Sequence, residues 1–215
     1  MFYCDEKEPI LRFGDVLRGY VLVNPSIKDP ISILHKNYDY KIDVEIPSYS
    51  VVLTPCCSIS KKGNTTISLT PLVRIMSKFL INPYFKGDLT RINCIMEPQQ
   101  SLPSDDWNRL SQIEREKRSK IGKKYACLAN FIYEKNEIFE EYTLAGETLR
   151  NYMIDFNNVY RIKCNKIQML GQPSADTTIN SIIESKCLQL SAETRTQLKD
   201  KLSYYYRIPE EDIVD

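Results

Sequence analysis

Residues 38–46, "YDYKIDVEI", alternate apolar and charged: Tyr38, Tyr40, Ile42, Val44 and Ile46 against Asp39, Lys41, Asp43 and Glu45. A period of two is that of a strand with one buried face, so the pattern predicts a half-buried antiparallel strand with the tyrosines and isoleucines inward. "DVLRGYVLVN" (Asp15 to Asn24) is rich in β-branched and large apolar residues, with turn signals at Gly14-Asp15 and Asn24-Pro25. "SVVLT" (Ser50 to Thr54) is an unbroken apolar run, which predicts a strand covered on both faces. "KKGN" turns the chain, and Thr65 to Val73 return it as a further strand.

Helical spacing takes over further along. Ser104 is placed to cap a helix with Asp105 and Asp106 in its first turn, followed by a narrow stripe of Trp107, Leu110 and Ile113. The apolar segments around "EKNE" (Glu134 to Glu137) read as a hairpin, with a helix as the competing reading. Asn151 to Ile162 reads as one strand and 171–178 as a polar linker. A last helix starts with Ser191 as N-cap, shows Leu198, Leu202 and Tyr205 or Tyr206 at helical spacing, and ends before Pro209. Many short strands with turn signals suggest a small barrel or strongly curled sheet. The expected fold is therefore mainly β with helices (α+β), a single domain over 1–215. Barrel-forming strands occupy 9–94, a helical insertion 104–124, further strands 125–170, and a C-terminal helical segment 178–208.

Composition changes this picture little. The chain has 215 residues with a net charge of +1, so overall charge does not make it a nucleic-acid binder. The first residues carry acidic charge and no apolar core of a signal peptide, and no apolar run approaches the roughly 20 residues of a membrane span. The seven cysteines are an odd count without a Cys-x-x-Cys pair, which fits free thiols in a reducing cytoplasm and no membrane partner.

Few residues carry candidate chemistry. Cys56 and Cys57 are adjacent, but the other cysteines are scattered and His35 is the sole histidine, sitting among turn-forming residues. A structural zinc site needs four ligands at recognisable spacing, and a nucleophilic thiol needs a base, so no metal and no cofactor is expected. Alternation sends Cys56 and Cys57 to opposite sides if the strand continues: one thiol buried and inert, the other exposed, without a disulfide. Arg115, Lys117, Arg118, Lys120, Lys123 and Lys124 place six cations within ten residues. That run either tracks phosphates or forms a solvated helix face, and it lacks interleaved aromatic platforms. The low glycine count, 7, leaves little material for a phosphate-cradling loop.

"FGDVLRGYVLVNP", "SVVLTPCCSI" and "SLTPLV" together resemble the PemK/MazF-like toxins. Closer still is a largely uncharacterised bacterial family with a "VVLTQSCDL"-like strand end, which "MIDFNNVYRI" and the last helix also match. The resemblance implies a small SH3-like barrel. It also shows departures: the Arg-Pro pair that precedes the apolar strand in the ribonucleases is Tyr49-Ser50 here, and Ser58 stands where the uncharacterised family carries aspartate. Thr54 matches the strand-ending Ser/Thr. The implied function is a non-catalytic barrel protein, an interaction or accessory subunit with a protein partner in bacterial stress or anti-phage defence. Thr54, Cys56, Cys57 and Ser58 would then rim its groove. The enzyme alternative is a metal-independent RNA endonuclease using Arg18, Thr54 and Cys57, with Arg74 as a second candidate cation. A nucleic-acid-binding accessory protein using the 115–124 cations is a third reading.

Overall fold

The structure, a computed structural model, describes residues 1–19, 22–27, 40–59, 66–82, 85, 87–94, 104–117, 129–163 and 185–206. The fold is mixed α+β and mostly strands. The chain divides into two compact units: Met1–Val73 with Asn157–Ala192, and Arg74–Phe156 with Glu193–Asp215.

The first unit holds strands β1 (Val16–Arg18), β2 (Leu22–Ile27), β3 (Tyr40–Glu45) and β4 (Tyr49–Val52). A single helical turn, α1 (Cys56–Ile59), and β5 (Thr66–Pro71) follow. Antiparallel pairings join five strands of this unit into a sheet of order β11-β5-β4-β1-β12, where β11 is Tyr160–Lys163 and β12 is Lys186–Leu188. Among the described residues this sheet is open, with β11 and β12 at its edges. All four residues of β4 are buried, as its unbroken apolar run predicts. Leu17, Leu22, Val52, Ile67, Leu69 and Tyr160 pack in one cluster beside Leu11 and Ile59.

Two local expectations change. The Asp15–Asn24 segment is two strands, because Gly19 takes φ +63°, a bend that an L side chain rarely adopts. β2 then runs through Asn24-Pro25 and pairs with β3 as a separate ribbon. Its register sets Val23 opposite Val44, Pro25 opposite Ile42 and Ile27 opposite Tyr40. β12 also lies where a helical segment was expected.

The second unit holds α2 (Ser77–Ile81), a 3-10 helix η1 (Leu89–Asn93) and α3 (Ser104–Arg109), with further helix at 112–117. Its strands are β7 (Asn130–Tyr133), β8 (Tyr142–Leu144), β9 (Glu147–Leu149) and β10 (Tyr152–Asp155). The short β6 (Val73–Arg74) joins β10 and β7 in a three-stranded sheet. The segments around "EKNE" do not pair with each other: β7 pairs with β10, and β8 pairs with β9 across an Ala145-Gly146 turn. Asn151–Ile162 is likewise two strands in different sheets. Aromatic residues fill this core: Phe139, Tyr142 and Tyr152 meet at centroid distances of 5.1 and 5.5 Å. The last helix, α4 (Ala192–Tyr205), buries Leu198 and sets Tyr205 against Phe156. Its buried Lys201 donates through Nζ to the carbonyl of Ile92. Among the described residues no helix is long and apolar enough to cross a membrane.

Candidate functional site

The end of β4 is built by backbone bonds to its neighbours. Gly14 N donates to Val52 O at 2.7 Å, Val52 N to Asp15 O at 3.0 Å, and Leu53 N to Ser68 O at 2.9 Å. Thr54 continues this pairing with its side chain: it is buried, and Oγ1 accepts from Ser68 N at 2.6 Å. Its hydroxyl thus serves as a rung of the sheet. Past Pro55 the chain coils, with Ser58 N and Ile59 N both donating to Pro55 O. Cys56 and Cys57 are therefore successive positions on a helical turn, about 100° apart, rather than alternating strand positions. Cys56 is half-buried and its Sγ accepts from Phe13 N at 3.3 Å; Cys57 is exposed, and neither is in a disulfide. Ser58 is half-buried.

Among the described residues a cation near these thiols is Arg12, which no pattern in the sequence singled out. Its guanidinium is held above its ordinary pKa first by the hydrogen bond with Glu8, burial acting the other way, with Cys56 and Asp15 adding attraction. Arg18 lies elsewhere. The register pairs it with Tyr49, whose ring centre is 5.9 Å from the guanidinium. Thr54 lies beyond Val52, at the opposite end of the β1–β4 pair, and the strand from Tyr49 to Val52 alone spans roughly 10 Å. Arg18 and the Thr54–Cys57 stretch are thus not brought together. Arg74 lies 5.2 Å over the ring of Tyr142 in the second unit. Of the basic run, Arg115 donates from Nη2 to Asn108 O at 2.6 Å and Lys117 is exposed. Arg118, Lys120, Lys123 and Lys124 fall outside the described residues, as does His35.

Sequence reading missed a fully buried polar cluster. Lys186 and Asp15, each with a side chain 1% exposed, form an ion pair at 2.8 Å. Lys186 Nζ also reaches Gln189 Oε1 at 2.6 Å, Ile10 O at 2.8 Å and Glu8 O at 3.2 Å. Gln189 Oε1 accepts from Glu8 N, and Asp15 Oδ2 from Arg12 N. One ammonium thereby fastens the segment before β1 onto β12. The signal available was a lysine inside the apolar stretch "KCLQL".

The β2–β3 ribbon reverses the expected orientation. Ile42, Val44 and Ile46 are 64%, 57% and 74% exposed. On the other face only the base of the ribbon meets the core: Leu22 is buried and the half-buried Glu45 accepts from the Tyr160 hydroxyl at 2.7 Å, while Asp43 is exposed. Desolvation and then this hydrogen bond push the Tyr160 phenol up to about 12. The alternation was read correctly, but the side that is covered was not: once the chain bends at Gly19, Leu22 and Tyr160 fix which face turns in. The ribbon therefore presents an apolar outer face, with Asp43 and Glu45 on the side opposite to Ile42 and Val44. No family model, characterised protein or solved structure gives a match to this chain.

Proposed function

We propose that the chain is an interaction or accessory subunit without catalytic activity of its own, binding a protein partner through the outer face of the β2–β3 ribbon. The observation that carries this reading is the exposure of Ile42 and Val44 on one face of β3, with exposed Ile46 just past its end. Covering three such side chains supplies about 3–6 kcal/mol before the costs of association. The placement of Arg18 away from Thr54 and Cys57, and the use of the Thr54 hydroxyl as a sheet rung, favour binding over ribonuclease chemistry at this strand end. The open sheet and the ribbon together are taken as a variant of the SH3-like barrel that the PemK/MazF resemblance implies. Bacterial stress or anti-phage defence is the setting implied by the same resemblance. The partner surface is an uncharged apolar strand or helix face, since no charge of β3 shares the face of Ile42 and Val44.

The test is purification from a native host of the wild-type chain and of an Ile42→Asp/Val44→Asp variant. A stoichiometric partner that stays with the wild type and is lost from an equally stable variant is the expected result. A protein that elutes alone and cleaves RNA at catalytic concentrations overturns the reading.

A further inference from the structure

β2 and β3 pair antiparallel along their whole length, with Pro25 opposite Ile42. Facing residues in such a pair either exchange both N–H···O bonds or exchange none, and proline has no N–H to give. Pro25 and Ile42 are therefore a pair that exchanges none. The bonded pairs are the alternate ones: Leu22 with Glu45, Asn24 with Asp43 and Ser26 with Lys41. Tyr40, Ile42 and Val44 consequently turn their backbone N–H and C=O groups away from β2, along the outer edge of β3. Among the described residues β3 pairs with β2 alone, and Ile42 and Val44 are exposed there.

The two edges of this ribbon are not alike. β2 is the strand that approaches β11, and its own edge carries Pro25, which cannot donate to an added strand. β3 contains no proline. What it carries instead is a charge order, Lys41-Ile42-Asp43-Val44. Like charges directly opposite each other destabilise a strand pair, so that order selects what can join. β3 satisfies the condition itself. Set antiparallel against a second β3 with Ile42 facing Ile42, it places Tyr40 opposite Val44 and Lys41 opposite Asp43, each twice. The neighbouring registers are worse: Ile42 facing Val44 brings Asp43 onto Asp43, and Val44 facing Val44 brings Asp43 onto Glu45. Asp43 also acts on Tyr160 within its own chain, and the register needs only the sign of its charge.

We propose that the outer edge of β3 binds a second copy of this chain, β3 against β3, paired over Tyr40–Val44 about a twofold axis at Ile42. The two ribbons then form one sheet of order β2-β3-β3-β2. The outward backbone groups of Tyr40, Ile42 and Val44 gain partners in it. Directly opposite residues share a face, so Ile42 and Val44 of both copies lie on one side and the apolar face doubles in width. The interface is small, and the dimer is accordingly weak and concentration-dependent. The inference uses the backbone edge of the ribbon and does not rest on what its apolar face binds.

The test follows the mass of the full-length protein by analytical ultracentrifugation across a concentration series. The wild type should pass from monomer to dimer. Ile42→Pro removes the outward N–H at the axis without touching a bond to β2, and should abolish the dimer in a chain that still folds. Lys41→Glu and Asp43→Lys each set like charges opposite at two positions and should weaken association about tenfold. Mixed in equal amounts, these two variants place unlike charges opposite again and should pair with each other at least as tightly as the wild type does with itself. That rescue also holds the test open if Ile42→Pro fails to fold. A wild type that stays monomeric into the millimolar range overturns the proposal. So does a dimer that persists in folded Ile42→Pro, or a mixture of the two charge variants that associates no more tightly than either alone.

Discussion

Lys186 shows what a single charge does when no water reaches it. Its ammonium has Asp15, Gln189 and two carbonyls around it, so the desolvation cost is offset by four acceptors at 2.6–3.2 Å. Replacing one partner strands the other. Lys186→Met leaves the Asp15 carboxylate buried without its cation and should cost about 3–5 kcal/mol. Adding Asp15→Asn to Lys186→Met removes the stranded charge and should return more than half of that loss, as read from urea unfolding midpoints. A loss below about 1 kcal/mol in the single variant would mean that water enters the site. Residues of this kind are hard to find in a sequence. Asp15 sits beside Gly14 and looks like an ordinary turn residue, while its partner is 171 positions away. Thr54 is the opposite case: its place at the strand end was legible, but its use as a sheet rung depends on where Ser68 falls in the neighbouring strand.

Elements were legible where one run of sequence makes one element, as in β3, β4 and α4. They were misread where a single run serves two sheets. Asn151–Ile162 splits because β10 and β11 join different sheets, and no local preference records that division. The β8–β9 hairpin was missed because Ala145 takes a left-handed turn position, φ 51°, where asparagine would have announced it. The attachment of the ribbon to β11 supplies a prediction. The Tyr160 phenol donates to Glu45, and its folded pKa of about 12 exceeds the ordinary 10. The protonated phenol is the form the fold favours. Stability from this group is therefore complete below pH 10 and lost as pH rises from 10 toward 12, because the unfolded chain ionises first. In Tyr160→Phe the alkaline loss over that interval should shrink, and amide exchange in Tyr40–Glu45 should quicken at neutral pH. An unchanged slope between pH 10 and 12 would show that the hydroxyl does not hold the ribbon.

At the scale of the molecule the chain enters the first unit twice, and strand pairing says how the two passes meet. β5 and β11 are antiparallel, with Leu69 opposite Tyr160 and Thr66 opposite Lys163. β5 and β11 are thus paired like the arms of a hairpin, and the chain between them includes Arg74–Phe156, one of the two segments of the second unit. Long connections cost little in closure entropy, each doubling adding only about 0.6 kcal/mol, and an insertion there is tolerated by the sheet. The first unit then carries its own core, in Leu17, Leu22, Val52, Leu69 and Tyr160, and its own buried staple in Asp15 and Lys186. A chain of Met1–Leu72 joined through Asn-Gly to Asn157–Ala192 has about 110 residues, a common domain size. It should unfold in one cooperative transition and keep the Tyr160–Glu45 bond, seen as slow exchange at the ribbon's base. Collapse of this shortened chain without a cooperative transition would mean that the sheet takes part of its stability from residues beyond the first unit.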